Sequence, residues 1–284
     1  MWESYTATRE QHTVVGDLRL QRDLYSPQLD NARDLLVWLP PGHDTSERRY
    51  PVIYMHDAQN LFDAVGSYSG EWQVDETMTQ LCAEGMPAII VGIPNSGNNR
   101  RSEYNPYNNP ASANEALLIG RGEEYLRFVI DTVKPLIDAT FKTNPAPDTT
   151  GIAGSSMGGL ISHYGFLKYP EVFGFCGAFS TAYWFGNEGL LKTTHMTAQG
   201  VGQIYMDVGT QEGPTLAYWL PVDTPDLHDE YVRGVQALRN SLIAGGYRSG
   251  VSLLYVEETG AMHNETAWAR RLPSALRFLL AGRG

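Results

Sequence analysis

The chain has 284 residues, 42% hydrophobic and 19% charged, and carries a formal net charge of −11. That length and apolar content suit one large α/β domain over residues 1–284 and exclude a disordered polypeptide. A surface this acidic repels phosphate backbones and anionic headgroups, which argues against nucleic acid or membrane as partners. Two cysteines, Cys82 and Cys176, are too few for a disulfide framework, and Cys176 sits in an apolar run that predicts a small core residue.

The N-terminus lacks a basic region followed by an apolar one, so no secretory signal is expected. The longest strongly apolar run, residues 88–93, is far shorter than the ~20 residues of a membrane helix, and a soluble, cytoplasmic protein is predicted. Residues 13–25 alternate in part around a Gly-Asp turn signal, and residues 33–39 end at Pro40-Pro41; both read as antiparallel strands. From Val52 onward, short continuous apolar runs alternate with helical patterns. The runs are 52–55, 88–93, 151–153, 175–179, 203–208 and 251–256, and their unbroken apolar character fits strands covered on both faces, hence a mostly parallel sheet. Helices are expected over 73–83, 123–141, 157–169, 230–244 and 265–280. In the second, Tyr125, Phe128, Val129 and Val133 belong to an amphipathic stripe, and Pro135 should kink it or start a new segment. Two long irregular stretches, 94–114 and 213–229, should emerge at the carboxyl edge of the sheet and flank a binding cleft.

The densest chemical signal lies at residues 149–160, Thr-Thr-Gly-Ile-Ala-Gly-Ser-Ser-Met-Gly-Gly-Leu. It holds Gly-x-Ser-x-Gly centred on Ser156, between a strand-like run and an apolar helix, as a nucleophile elbow requires. Gly154 and Gly158 are expected where a Cβ would collide with neighbouring backbone, and Gly159 where packing is close. A serine hydroxyl needs a base, and the base an orienting acid; on an α/β-hydrolase sheet the chain order is Ser, then Asp or Glu, then His. Of the seven histidines, His263 alone combines a late position with a strand before it and a helix after it. His163 lies two turns into the helix after Ser156 and should pack or face solvent. The acid should follow the run 203–208. Glu212 is the first carboxylate beyond it, with Asp207 inside the strand and Asp223, Asp226 and Asp229 farther along. No His-Glu-x-x-His, clustered Cys/His spacing or phosphate-binding Gly loop occurs, so no metal or organic cofactor is expected.

Several blocks carry a family resemblance: Met55-His-Asp-Ala-Gln-Asn-Leu-Phe62, Gly70-Glu-Trp-Gln-Val-Asp75, Gly154-Ser-Ser-Met-Gly-Gly159, Gly209-Thr-Gln-Glu212 and His263-Asn-Glu-Thr-Ala-Trp268. In this order they resemble the putative-esterase family of α/β-hydrolases, which includes enterochelin-type, feruloyl and acetyl-xylan esterases and S-formylglutathione hydrolase. The resemblance implies a central sheet of about eight strands, mostly parallel with an antiparallel N-terminal edge, and helices on both faces. It implies Glu212 as the triad acid. It also implies an oxyanion hole built from the Met157 amide and the amide of Gln59, with Ala58 the alternative. Ala58 stands where the family usually has glycine, an alanine that would cost roughly 1 kcal/mol if that position needs positive φ. Asp57 reads as a loop brace, and Arg100-Arg101 as a pair that could meet a carboxylate.

The expected activity is hydrolysis of a small-molecule carboxylic ester through an acyl-serine intermediate on Ser156, Glu212 and His263. An acyltransferase on the same site is the alternative enzyme, and a non-catalytic binding protein on the same fold the alternative class. Trp72, Tyr104, Trp184, Trp219 and Trp268 lie in loops or near the motif blocks, where aromatic faces suit sugar rings or aromatic acyl groups. Among these, Trp184 is taken as a substrate contact.

Overall fold

Among the residues described by the computed structural model (1–8, 10–67, 70–108, 119–185, 189–216 and 226–283), nine strands join in one sheet. They are β1 (Glu3–Ser4), β2 (Asp17–Ser26), β3 (Asn31–Leu39), β4 (Val52–His56), β5 (Ile89–Ile93), β6 (Thr150–Ser155), β7 (Phe175–Phe179), β8 (Gln203–Gly209) and β9 (Leu253–Glu258). Their spatial order is β1-β2-β3-β5-β4-β6-β7-β8-β9. The pairings from β1 to β5 are antiparallel, and every pairing from β5 to β9 is parallel. The fold is thus the mostly parallel α/β sheet with an antiparallel N-terminal edge that the sequence predicts. The ninth strand is the two-residue β1, too short to leave a periodic signal.

The core explains the unbroken apolar runs. Along β4, Tyr54 belongs to one buried cluster while Ile53 and Met55 belong to another, and Val91 and Ile90 of β5 divide the same way. Consecutive residues thus point to opposite faces, and both faces are dry. One face is covered by α3 (Gly122–Phe128), α5 (Met157–Lys168) and α7 (Leu227–Ala244); the other by α1 (Val74–Ala83) and α8 (Glu265–Leu280).

Several boundaries differ from the expectation. β2 begins at Asp17, not at residue 13, because Gly16 turns at φ 88° and the Val15 amide is drawn away to Asp75. β9 begins at Leu253 because residues 251 and 252 close a turn onto the Arg248 carbonyl. The long helix near Pro135 neither stops nor restarts at a gap. A π-helical turn, Val129–Val133, joins α3 to α4 (Lys134–Thr140), re-spacing the ladder just before the residue that lacks an N–H. α7 starts at Leu227, earlier than expected, because the Asp226 carboxylate caps it by accepting from the amides of His228 and Asp229 at 2.9 and 3.2 Å. Two helices had no forewarning: α2 (Arg100–Glu103), inside the first irregular stretch, and α6 (Gly189–Thr197).

β4 pairs with β5 on one side and β6 on the other, so the chain leaves β4 in one direction and returns beyond it. A crevice opens at such a switch point, past the carboxyl ends of the strands. The segments after β4 and β6 carry Gln59 and Ser156.

Candidate active site

Ser156 sits between β6 and α5 with φ 57° and ψ −118°, a strained conformation for a residue bearing a Cβ. It is pinned on both sides: its amide donates to the Phe179 carbonyl at 2.9 Å and its carbonyl accepts from Ala182 N–H at 3.0 Å. A Cβ on Gly154 would lie 2.9 Å from both the Gly158 carbonyl carbon and the His56 ring. The tight contact is therefore at Gly154, and also at Gly159, where a Cβ would lie 2.9 Å from the Phe179 carbonyl oxygen. At Gly158 the nearest approach is 3.4 Å, looser than the collision expected there.

Beyond β8, Glu212 is fully buried and its two oxygens have separate partners. Oε2 lies 2.9 Å from His263 Nδ1, while Oε1 accepts from Gly209 N–H at 2.6 Å and Ser180 Oγ at 2.7 Å. Arg271 of α8 stands 3.7 Å from Oε1 and 2.9 Å from Asp207, so one buried guanidinium serves two buried carboxylates. Asp207 is drawn inward by Ser180 N–H, the Tyr205 hydroxyl and Arg271; burial outweighs the cation and raises its pKa to about 6. Of the other carboxylates considered, Asp226 caps α7, Asp229 lies in its first turn, and Asp223 falls outside the described residues. The His263 ring meets Trp268 edge-on at 5.0 Å, and the Tyr231 hydroxyl lies 3.4 Å from its Nδ1.

The loop after β4 has a different geometry from the one anticipated. The left-handed residue is Asp57, at φ 58°, and Ala58 begins a 3-10 turn (Ala58–Asn60) with ordinary backbone, so the alanine is unstrained. Aspartate tolerates this conformation better than most residues. Asp57 takes both oxygens of its carboxylate to Arg100, at 2.8 Å each, and one also to Asn95 Nδ2 at 2.7 Å. Burial alone would raise this carboxyl; Arg100 and Asn95 outweigh it and hold the pKa below the usual value. The carboxylate met by Arg100 is thus internal, and Asp57 braces the loop. Beneath it, His56 is buried with Nδ1 2.8 Å from the Tyr125 hydroxyl, and burial depresses its pKa to about 4.

Ser156, His263, Gln59 and Arg100 line one cleft of about 860 Å³, with Trp72 and Trp268 on its wall. The Met157 amide opens α5 and the Gln59 amide lies in the 3-10 turn; N–H groups in a first helical turn have no intrahelical acceptor. Ala58 is buried beside Gly92. Trp184 is not among the cleft-lining side chains; its ring packs on Tyr231 at 4.9 Å. The first irregular stretch reaches the cleft through Asn95 and Arg100, and the second begins next to Glu212; residues 109–118 and 217–225, Trp219 among them, are outside the described residues. Ser180, Tyr231 and Arg271 escaped the sequence reading because no motif marks them. For Arg271 the only signal was a charged residue on the apolar face of an amphipathic helix.

A mostly parallel sheet with a serine elbow after β6 and helices on both faces is the α/β-hydrolase fold. Residues 26–279 match the sequence profile of the putative esterase family, to which the chain belongs, and the protein is a carboxylic ester hydrolase. Among individual relatives, the uncharacterized protein YbbA of Bacillus subtilis is 26% identical over 87% of this chain and 92% of its own. Among solved structures, an IroE-like serine hydrolase from Shewanella oneidensis has a TM-score of 0.71 at 21% identity, covering 93% of this chain and 80% of that one. The enterobactin esterase Fes of Shigella flexneri has a TM-score of 0.67 at 19% identity; 95% of this chain aligns with 60% of that larger one.

Proposed function

We propose that the protein hydrolyses its ester through an acyl-serine intermediate, with Ser156 as nucleophile, His263 as general base and Glu212 as the acid that orients it. The observation that carries this reading is the 2.9 Å contact between His263 Nδ1 and the buried Glu212 carboxylate, made by a histidine that shares its cleft with Ser156. A carboxylate at Nδ1 selects the tautomer with the proton on that nitrogen and leaves Nε2 as the acceptor for a serine proton.

In this mechanism Ser156 Oγ attacks the ester carbonyl carbon as His263 takes its proton, and Glu212 stabilises the imidazolium. The amides of Met157 and Gln59 hold the alkoxide, which forms at the N-terminus of α5, where the helix dipole favours negative charge. Collapse expels the alcohol, which takes the proton from His263; water then repeats the cycle to release the acid. The substrate reading is an ester of a polar, hydroxylated alcohol such as an acylated sugar. It is supported by the cleft's amide side chains, Gln59, Asn60, Asn95 and Asn264, beside two indole rings.

A fluorophosphonate should add once per chain, at Ser156, and Ser156→Ala should lose ~10⁴–10⁶ in kcat against a nitrophenyl acetate. A Ser156→Ala enzyme that keeps most of its activity would end this reading.

A further inference from the structure

Flanking Trp72 in the chain but not among the residues lining the cleft, Glu71, Asp75 and Glu76 bring one carboxylate oxygen each to within 4.8 Å of one another. Asp75 is completely buried: Oδ2 accepts the Val15 amide at 2.6 Å, while Oδ1 has no hydrogen-bond partner. Oε2 of Glu76 is likewise buried and unpartnered, as is the hydroxyl of Thr79, which lies one turn along α1 from both acids. None of the three carboxylates has an ion pair with a lysine or arginine among the described residues. A buried carboxylate oxygen with nothing to accept costs several kcal/mol unless a proton or a cation reaches it.

We propose that Glu71, Asp75 and Glu76 bind a divalent cation of the calcium class. A proton shared between two carboxyl groups is the competing arrangement, but it serves one pair of oxygens. A cation at the centre serves three carboxylates and has the Thr79 hydroxyl within the same turn. Three carboxylates converging on one ion suit calcium, which takes six to eight oxygens in a flexible geometry, better than magnesium, which demands a near-ideal octahedron and is usually held by one or two carboxylates with several waters. Glu71 is only half-buried, which leaves an open side for coordinated water. The cation would tie the start of α1 to the turn before it, where Gln73 is left-handed at φ 55° and Trp72 enters the cleft wall. The site is separate from the catalytic chemistry and does not depend on how that is read.

The test uses the full chain, stripped with a chelator and dialysed, then titrated calorimetrically with calcium or magnesium chloride. Calcium should bind once per chain and raise Tm saturably by about 5 °C or more. Asp75→Asn and Glu71→Gln should each fold, since both relieve repulsion in the stripped protein, and each should abolish the heat and the Tm shift. Glu71→Gln, at a half-exposed position, guards against a folding defect at Asp75. No heat and no Tm shift with ~10 mM calcium, a response to magnesium alone, or a calcium shift that survives in both variants overturns the proposal.

Discussion

At φ 43°, Ser180 turns the chain at the end of β7, and its hydroxyl donates to Glu212 while accepting from Trp268 Nε1 at 2.9 Å and an Arg271 terminal nitrogen at 3.0 Å. Ser180→Ala would leave two buried donors without this acceptor, and destabilisation of about 2–4 kcal/mol should appear in urea melts. Glu212 would keep the Gly209 amide, so kcat should fall by only about tenfold, ~1.4 kcal/mol of barrier. Glu212→Gln is the sharper change. The isosteric amide cannot stabilise the imidazolium and favours the wrong tautomer, so kcat should drop ~10⁴ while near-UV circular dichroism stays native. Asp226→Asn preserves an N-cap and touches nothing in the cleft; its kcat should stay within about twofold of the parent, and a loss like that of Glu212→Gln would move the acid to the wrong loop.

α5 and α6 meet where His163 Nε2 lies 3.3 Å from Thr194 Oγ1, both side chains fully buried. Burial depresses the His163 pKa to about 3, against 6.5 for the free imidazole. A depressed folded-state value means the unfolded chain binds the proton more tightly. The contribution is therefore complete above pH 6.5 and is lost as pH falls from there toward about 3, at up to ~1.4 kcal/mol per unit. His163→Gln keeps a polar group for Thr194 but does not titrate. The stability difference between wild type and variant should change by about 2 kcal/mol between pH 6.5 and pH 4.5, read from urea unfolding at each pH. A difference that does not vary with pH would show that His163 is not held neutral. The sequence exposed the parts of this packing unevenly. The apolar run after Ser156 was plain, because eight of the twelve residues from Met157 to Lys168 are apolar or glycine and need no partner but the core. α6 was not, because Thr193, Thr194 and Thr197 weaken helix propensity and only Leu190 and Thr194 are buried.

Pairings across the molecule were the least legible. Local patterns identify the strands, yet nothing local places β5 between β3 and β4, or joins Asp57 to Arg100 across 43 residues. That pairing governs the electrostatics of the cleft. The whole chain carries −11, and the guanidinium lining the cleft is already neutralised by Asp57. An anionic ester therefore approaches a negative field with no free cation from Arg100 to offset it, whereas a neutral ester feels no net force. Raising ionic strength from ~0.01 M to ~0.1 M shortens the Debye length from about 30 to 10 Å and screens that field. Over this range kcat/KM for a succinyl monoester should rise about threefold to tenfold, and for the matching acetyl ester it should change by less than about twofold. Asp57→Asn sharpens the test by leaving Arg100 charged and unpaired in the cleft. In that variant the anionic ester should gain relative to the neutral one at low salt, and its salt dependence should flatten. An unchanged ratio of the two esters between wild type and Asp57→Asn would show that Arg100 does not govern the potential there.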